Sequence, residues 1–194
     1  MSYWIPRLEW NDQTITGTTS TGNATITGIT STANINVGMI CTGTGIQADS
    51  KVLSKTLTSV TLDKTATGSA TVSLTFFERY DFEFPPVKDT DEVWKAKQNV
   101  IDSLNGTQQF QNLYLEATRA VEYWFVNQTD ADKLKTNFFM YVYQGAFFRY
   151  YPDKDEVEVF NYQLEPRTYE RVRQVKKHPY FKFKINFIFR RVVA

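Results

Sequence analysis

Cys41 and His178 are the chain's single cysteine and single histidine, so thiol and imidazole chemistry rest on two residues. One thiol cannot form a disulfide within the chain, and an all-protein zinc site built mainly from Cys and His is excluded. A Ser-His-Asp or Cys-His nucleophile would have to use His178, which stands in a lysine-rich stretch just before Pro179. The nine glycines compose neither the dinucleotide fingerprint nor a P-loop, so no phosphate-cradling loop is expected. Carboxylates cluster twice, at Asp89, Asp91 and Glu92 and at Asp153, Asp155 and Glu156. Paired carboxylates bind Ca²⁺ or divide acid and base roles. Neither cluster has the Asp/Asn alternation and glycine of a calcium loop, so both read as solvated turns, with Asp153 a turn former. No catalytic, metal-binding or cofactor-binding residue is expected, and the chain reads as a non-enzyme.

The remaining charge is balanced. With 22 basic and 21 acidic side chains the net charge is +1, which gives no electrostatic case for a nucleic-acid binder or a polybasic membrane anchor. Arg167, Arg171, Arg173, Lys176 and Lys177 form a local basic run, interleaved with Glu165 and Glu170. Its readings are a solvated face, inter-subunit ion pairs or nucleic-acid contact, in that order. The start, MSYWIPRLEW, has neither the basic nor the apolar region of a signal peptide. No stretch approaches the ~20 apolar residues that span a bilayer.

The elements that carry these residues fall into two compositions. None of the 30 aromatic residues lies between Asn11 and Thr75, and residues 13–77 hold five of the 43 charges. Such a break marks a separately folding unit. Within it, short β-branched runs around Thr25-Ile26, Val37-Gly38-Met39, Val52-Leu53, Val60-Thr61-Leu62 and Val72-Ser73-Leu74 alternate with turns at Gly22-Asn23, Gly43-Thr44-Gly45, Asp49 and Gly68. That spacing predicts a small all-β sandwich-like module over 13–76, inserted after the first strand of a host domain made of 1–12 and 77–194.

The host is predicted to be a β-sandwich or barrel with one flanking α-helix. Alternating Phe76, Tyr80, Phe82 and Phe84 predict a strand ended by Pro85-Pro86. Asn105-Gly106 predicts a hairpin joining 93–104 to 113–126. Thr129 is the expected N-cap of a helix near 130–144, with Leu134, Phe138, Tyr141 and Val142 at helical spacing and Gly145 as its stop. Strands are expected at 147–151 and 157–164, and a short helix or turn at 168–176. The last strand places Phe181, Phe183, Ile185, Phe187 and Phe189 on one face.

Several of these segments resemble a known family. Glu122-Tyr123-Trp124-Phe125, the Thr129-Asp130-Ala131-Asp132 helix start, Phe147-Phe148-Arg149-Tyr150-Tyr151-Pro152-Asp153 and the terminal Arg190-Arg191-Val192-Val193 resemble the distal-tail or tail-tip ring proteins of long-tailed bacteriophages. The resemblance covers residues 78–194 and the N-terminal strand. It implies a small β-sandwich that assembles as a hexameric ring capping the tail tube, with a protruding loop contacting the neighbour. Its implied partners are further copies, the tail-tube protein, and the baseplate hub and receptor-binding proteins. The implied place is the virion, after synthesis in the host cytoplasm. The Thr/Gly-rich module is similar to a β module of phage tail and surface-displayed proteins, which implies outward display.

Under this reading the candidate interface residues are Asn105, Gly106, Phe110, Arg149, Tyr150, Arg171 and Arg173. Phe110 is the expected anchor of the 104–113 loop. The excess of Trp and Tyr fits an obligate oligomer, because interfaces favour aromatic residues and Arg. The rivals are another tail ring, such as a terminator or neck connector, and a virion adhesin whose module binds glycan. The adhesin lacks aromatic platforms between Asn11 and Thr75.

Overall fold

β-Branched and aromatic residues build strands through most of the chain, and one helical run interrupts them. The computed structural model describes residues 5–89, 93–102, 108–125, 128–153, 160–164, 170–173 and 183–193. The chain is mainly β, and its contacts divide it into Leu8–Tyr80 and a second unit made of Met1–Arg7 with Asp81–Ala194.

The Leu8–Tyr80 unit uses β1 (Arg7–Thr19), β2 (Thr25–Ile26), β3 (Ile40–Gly43), β4 (Ser50–Lys55), β5 (Val60–Leu62) and β6 (Ala70–Asp81). They lie in the order β2-β5-β4-β3-β6-β1. The two ends of this path touch at one antiparallel bridge, Thr18 with Thr27, rather than along a closed barrel seam. Ile26, Ile29, Ile35, Met39, Cys41, Val52, Val60, Leu62, Leu74 and Phe76 form its core. Between Asn11 and Thr75 this core is supplied by aliphatic residues with Met39 and Cys41, and Phe76 adds an aromatic ring just beyond that window. Burial pushes the Cys41 thiol up to about 12, so it behaves as the small buried hydrophobe its neighbours predict. The run at 36–39 is a turn, not the start of a strand: Gly38 has φ 96°, and β3 begins only at Ile40. At Gly45, φ 78° favours glycine, and an added Cβ would also crowd the Gly68 backbone at 3.3 Å.

A lysine fastens one loop of this unit. The Lys55 ammonium donates to the carbonyl oxygens of Thr32 (2.9 Å), Ala33 (3.5 Å) and Ile35, while the Thr32 hydroxyl donates to the Thr56 carbonyl. Three backbone acceptors that would otherwise need water are met by one side chain. Lys55→Met is expected to cost about 1–2 kcal/mol and to raise amide hydrogen exchange in 32–35 selectively. Unchanged exchange there would refute the role.

The second unit holds β7 (Lys88–Asp89), β8 (Val93–Asp102), β9 (Gln108–Phe125), β10 (Phe147–Tyr151), β11 (Phe160–Leu164), β12 (Glu170–Arg173) and β13 (Phe183–Val193). Its path is β10-β11-β13-β9-β7, with β12 also on β13 and β8 also on β9. All these pairings are antiparallel. The strand predicted through Phe84 stops at Asp81, although Phe82 remains buried. The helix or turn predicted at 168–176 is corrected by β12. Register with β13, Glu170 opposite Asn186 to Arg173 opposite Phe183, overrides a local preference that was weak.

The helical run is α over Gln128–Lys133, π over Leu134–Phe139 and α over Met140–Val142. Gln128 is already helical, so Thr129 lies in the first turn instead of capping it. The Met140 N–H bonds to the Lys135 carbonyl, five residues back. This wider turn buries Phe139 beside Phe138 and leaves Tyr141 only half-buried. Gly145, at φ 87°, ends the run as predicted, with its N–H on the Val142 carbonyl at 2.9 Å. Phe138 packs edge-on against Phe148 of β10, which neighbours Tyr162 of β11, so the helix lies on that part of the sheet.

A second aromatic cluster holds the segment after β6. Tyr123 sits 4.2 Å from Phe82 and 4.8 Å from Phe125, ring centre to ring centre, and its hydroxyl accepts the Phe84 N–H at 2.7 Å. Burial raises the Tyr123 hydroxyl from 10 to about 12. Below pH 10 the phenol is neutral in folded and unfolded chains alike. Between pH 10 and about 12 only the unfolded chain ionises, so stability falls as pH rises. The loss amounts to about 2–3 kcal/mol. Tyr123→Phe is expected to cost about 1 kcal/mol at neutral pH and to flatten that alkaline loss. Equal alkaline slopes for the two proteins in urea titrations would contradict the assignment.

Candidate subunit interface

The hairpin predicted from Asn105-Gly106 forms, with β8 and β9 paired from Val93 opposite Thr118 to Asp102 opposite Gln108. Asn105 and Gly106 themselves lie outside the described residues. The arms run closer to the tip than predicted, so Phe110 is not in a loop: it occupies β9, opposite Val100. Ladder hydrogen bonds across Gln98–Asp102, opposite Gln108–Asn112, hold this polar, charge-poor stretch extended.

β9 is longer than the strands around it. β13 pairs with it only from Leu115 to Phe125, and β7 only at Val121 and Glu122. Beyond Leu115, among the described residues, β9 pairs with β8 alone. Among the described residues, the six pairs from Lys97–Tyr114 to Asp102–Gln108 form a two-stranded stretch, about 20 Å at 3.4 Å per residue. A two-stranded ribbon is marginal by itself in water, and its outer edges carry unpaired backbone donors and acceptors.

The same border carries exposed apolar side chains. Val87 precedes β7, and Val93 and Trp94 open β8 at 52% and 48% exposure. A second exposed group, Met140, Tyr143 and Phe147, lies where the helical run hands over to β10. Trp94 belongs to the excess of Trp and Tyr read as a sign of subunit contacts, but composition does not say which of these residues are exposed, because an exposed tryptophan and a core tryptophan share the same local pattern. Trp124 illustrates the other kind: it is half-buried and donates to Glu122 Oε1 at 2.6 Å.

The remaining candidates are dispersed. Tyr150 is 1% exposed, with the Arg119 guanidinium 5.1 Å from its ring centre, so it serves the interior of its own unit. Arg149 is half-buried on the opposite face of β10, opposite Asn161. Arg171 and Arg173 occupy β12, opposite Ile185 and Phe183; the rest of the basic run, Arg167, Lys176, Lys177 and His178, lies outside the described residues. Of the carboxylate clusters, Asp89 and Asp153 are described, and among the described residues no three His, Cys, Asp or Glu side chains group as a metal site would require. No helix among them is long and apolar enough to cross a membrane.

The Leu8–Tyr80 unit presents a different surface. Threonines line the exposed faces of β1 and β6, with Thr14 bonded to Thr75 at 3.4 Å and Thr18 to Thr71 at 2.9 Å. Leu57, at 86% exposure, tips the turn between β4 and β5. What the described arrangement offers chemically is backbone pairing along strand edges and apolar contact. No protein-family model, curated protein or solved structure matches this chain.

Proposed function

We propose that this chain is a structural virion protein, a ring subunit at the distal end of a bacteriophage tail, joining the tail tube to the tail tip or baseplate and its receptor-binding proteins. The Leu8–Tyr80 unit faces outward. The observation that carries this reading is the long β8–β9 hairpin, paired from Val93 opposite Thr118 to Asp102 opposite Gln108, an extended ribbon suited to contact with another copy. Copies joined head to tail through such a ribbon make heterologous contacts, which close into a ring when the rotation per copy divides a full turn. Exposed Val93 and Trp94, which open β8 at the base of this hairpin, supply the apolar anchor that such contacts use. The same hairpin would serve a terminator or neck ring, so the partner at each face of the ring distinguishes these positions.

The test is the mass of the purified protein across concentration by light scattering, followed by negative-stain imaging with and without tail-tube protein. Rings of about six subunits that bind one end of the tube are expected. A chain with 98–112 replaced by a two-residue turn should remain folded and monomeric. A wild-type monomer indifferent to the tube would overturn the reading, and glycan binding by the Leu8–Tyr80 unit would then be tested first.

A further inference from the structure

The π turn of the helical run holds one residue more than its apolar stripe needs. Ala131, Leu134, Phe138, Phe139 and Val142 are all buried. With one residue left out between Leu134 and Phe138, they stand at i−3, i, i+3, i+4 and i+7 from Leu134, the stripe of an unbroken α-helix. The π segment Leu134–Phe139 absorbs the extra residue, and the Met140 N–H on the Lys135 carbonyl marks the widened turn. The full sequence, wound as α throughout, forms a second stripe just as regular. Ala131, Leu134, Phe138, Tyr141 and Val142 then stand at i−3, i, i+4, i+7 and i+8. The two stripes share four members and differ in one aromatic ring, Phe139 against Tyr141.

We infer that this run is a two-register switch. In the π register Phe139 packs inside and Tyr141 is half-buried; in the α register Tyr141 takes the inner place and Phe139 turns outward. Lys133, Phe139, Met140 and Tyr143 all hold ordinary right-handed helical dihedrals. The exchange therefore passes hydrogen bonds from acceptors five residues back to acceptors four back, with these residues still in the same φ/ψ region. Gly145, at φ 87° with open space where a Cβ would stand, is the joint that takes up the residual turn. What the switch controls is apolar surface. Met140, Tyr143 and Phe147 are already exposed, at 61%, 66% and 61%. Turned outward, Phe139 lies four residues before Tyr143 on the same helix face and enlarges that group by a ring.

The test places 4-fluorophenylalanine at position 139 of the full chain and follows it by fluorine NMR relaxation dispersion. A minor, solvent-exposed state of about 1–10% is expected, exchanging with the buried one in microseconds to milliseconds. Deletion of the exposed Asn137 turns the first stripe into an unbroken α-helix, so Phe139 should stay inside and the exchange should vanish. Tyr141→Ser removes the ring that fills the site in the α register and should lower the minor population about threefold or more. Circular dichroism checks that each variant is folded, and Tyr141→Ser alone decides if the deletion variant is not. An exchange-free wild-type chain would overturn the inference, and so would exchange that either folded variant leaves unchanged. The readout does not depend on assembly, so its failure leaves the ring reading standing.

Discussion

Phe138→Ala is expected to destabilise the unit that holds it by about 3–5 kcal/mol, the range for emptying an aromatic site in a packed core. The Phe138 side chain has no exposed surface. Its ring meets Phe139 at 4.9 Å and 70°, and Phe148 at 4.9 Å and 89°, both edge-to-face geometries that add to the area term. Phe148 in turn faces Tyr162 at 6.2 Å, so the cavity would open between the helical run and the sheet, where neither side collapses easily. Tyr143→Ser, on the exposed side of the same run, is the control and should stay within about 0.5 kcal/mol. Urea unfolding of the two variants reads the contrast. A loss below about 1 kcal/mol for Phe138→Ala would mean that the helix does not depend on this contact.

That contact also shows what was legible in the residues. Leu134, Phe138 and Val142 at spacings of four announce a buried stripe, and all three are buried. Phe139 was not part of the stripe, because the π turn that admits it depends on hydrogen bonds five residues apart, which apolar spacing does not encode. The small module was readable because glycine and Asx residues punctuate it and its strands pair near in sequence, as Ile40 with Lys51 and Val60 with Lys55. β12 was missed for the opposite reason: four residues with no strong propensity become a strand by pairing with β13. The candidate interface divides the same way. Asn-Gly marks a hairpin locally, but how far its arms run is a matter of pairing: β8 and β9 stay paired out to Asp102 opposite Gln108, which puts Phe110 in a strand. The motif places Tyr150 at an interface, whereas alternation along β10 puts it inside.

Arg79→Met is expected to cost the Leu8–Tyr80 unit about 3–5 kcal/mol, because it withdraws the guanidinium from a carboxylate that has left water. Arg79 Nε donates to Glu9 Oε1 at 3.2 Å, and Glu9 is 4% exposed. The guanidinium also bonds the Asp49 carboxylate and lies 5.6 Å from the centre of the Phe77 ring. These contacts tie β1, β6 and the turn before β4 together. The two acids should respond differently. Asp49 is largely exposed, so Asp49→Asn should cost below about 1 kcal/mol and lose its effect in high salt; Asn also tolerates the positive φ of 56° found there. Glu9→Gln added to Arg79→Met should restore much of the stability, since the neutral amide no longer needs a cation and keeps the shape of the site. The double-mutant cycle, run by urea unfolding at neutral pH, isolates the pair. A strongly positive coupling means that Arg79 is held there chiefly by the buried Glu9, whereas additive losses would mean that the stacked arginine over Phe77 carries the stability by packing, with its charge incidental.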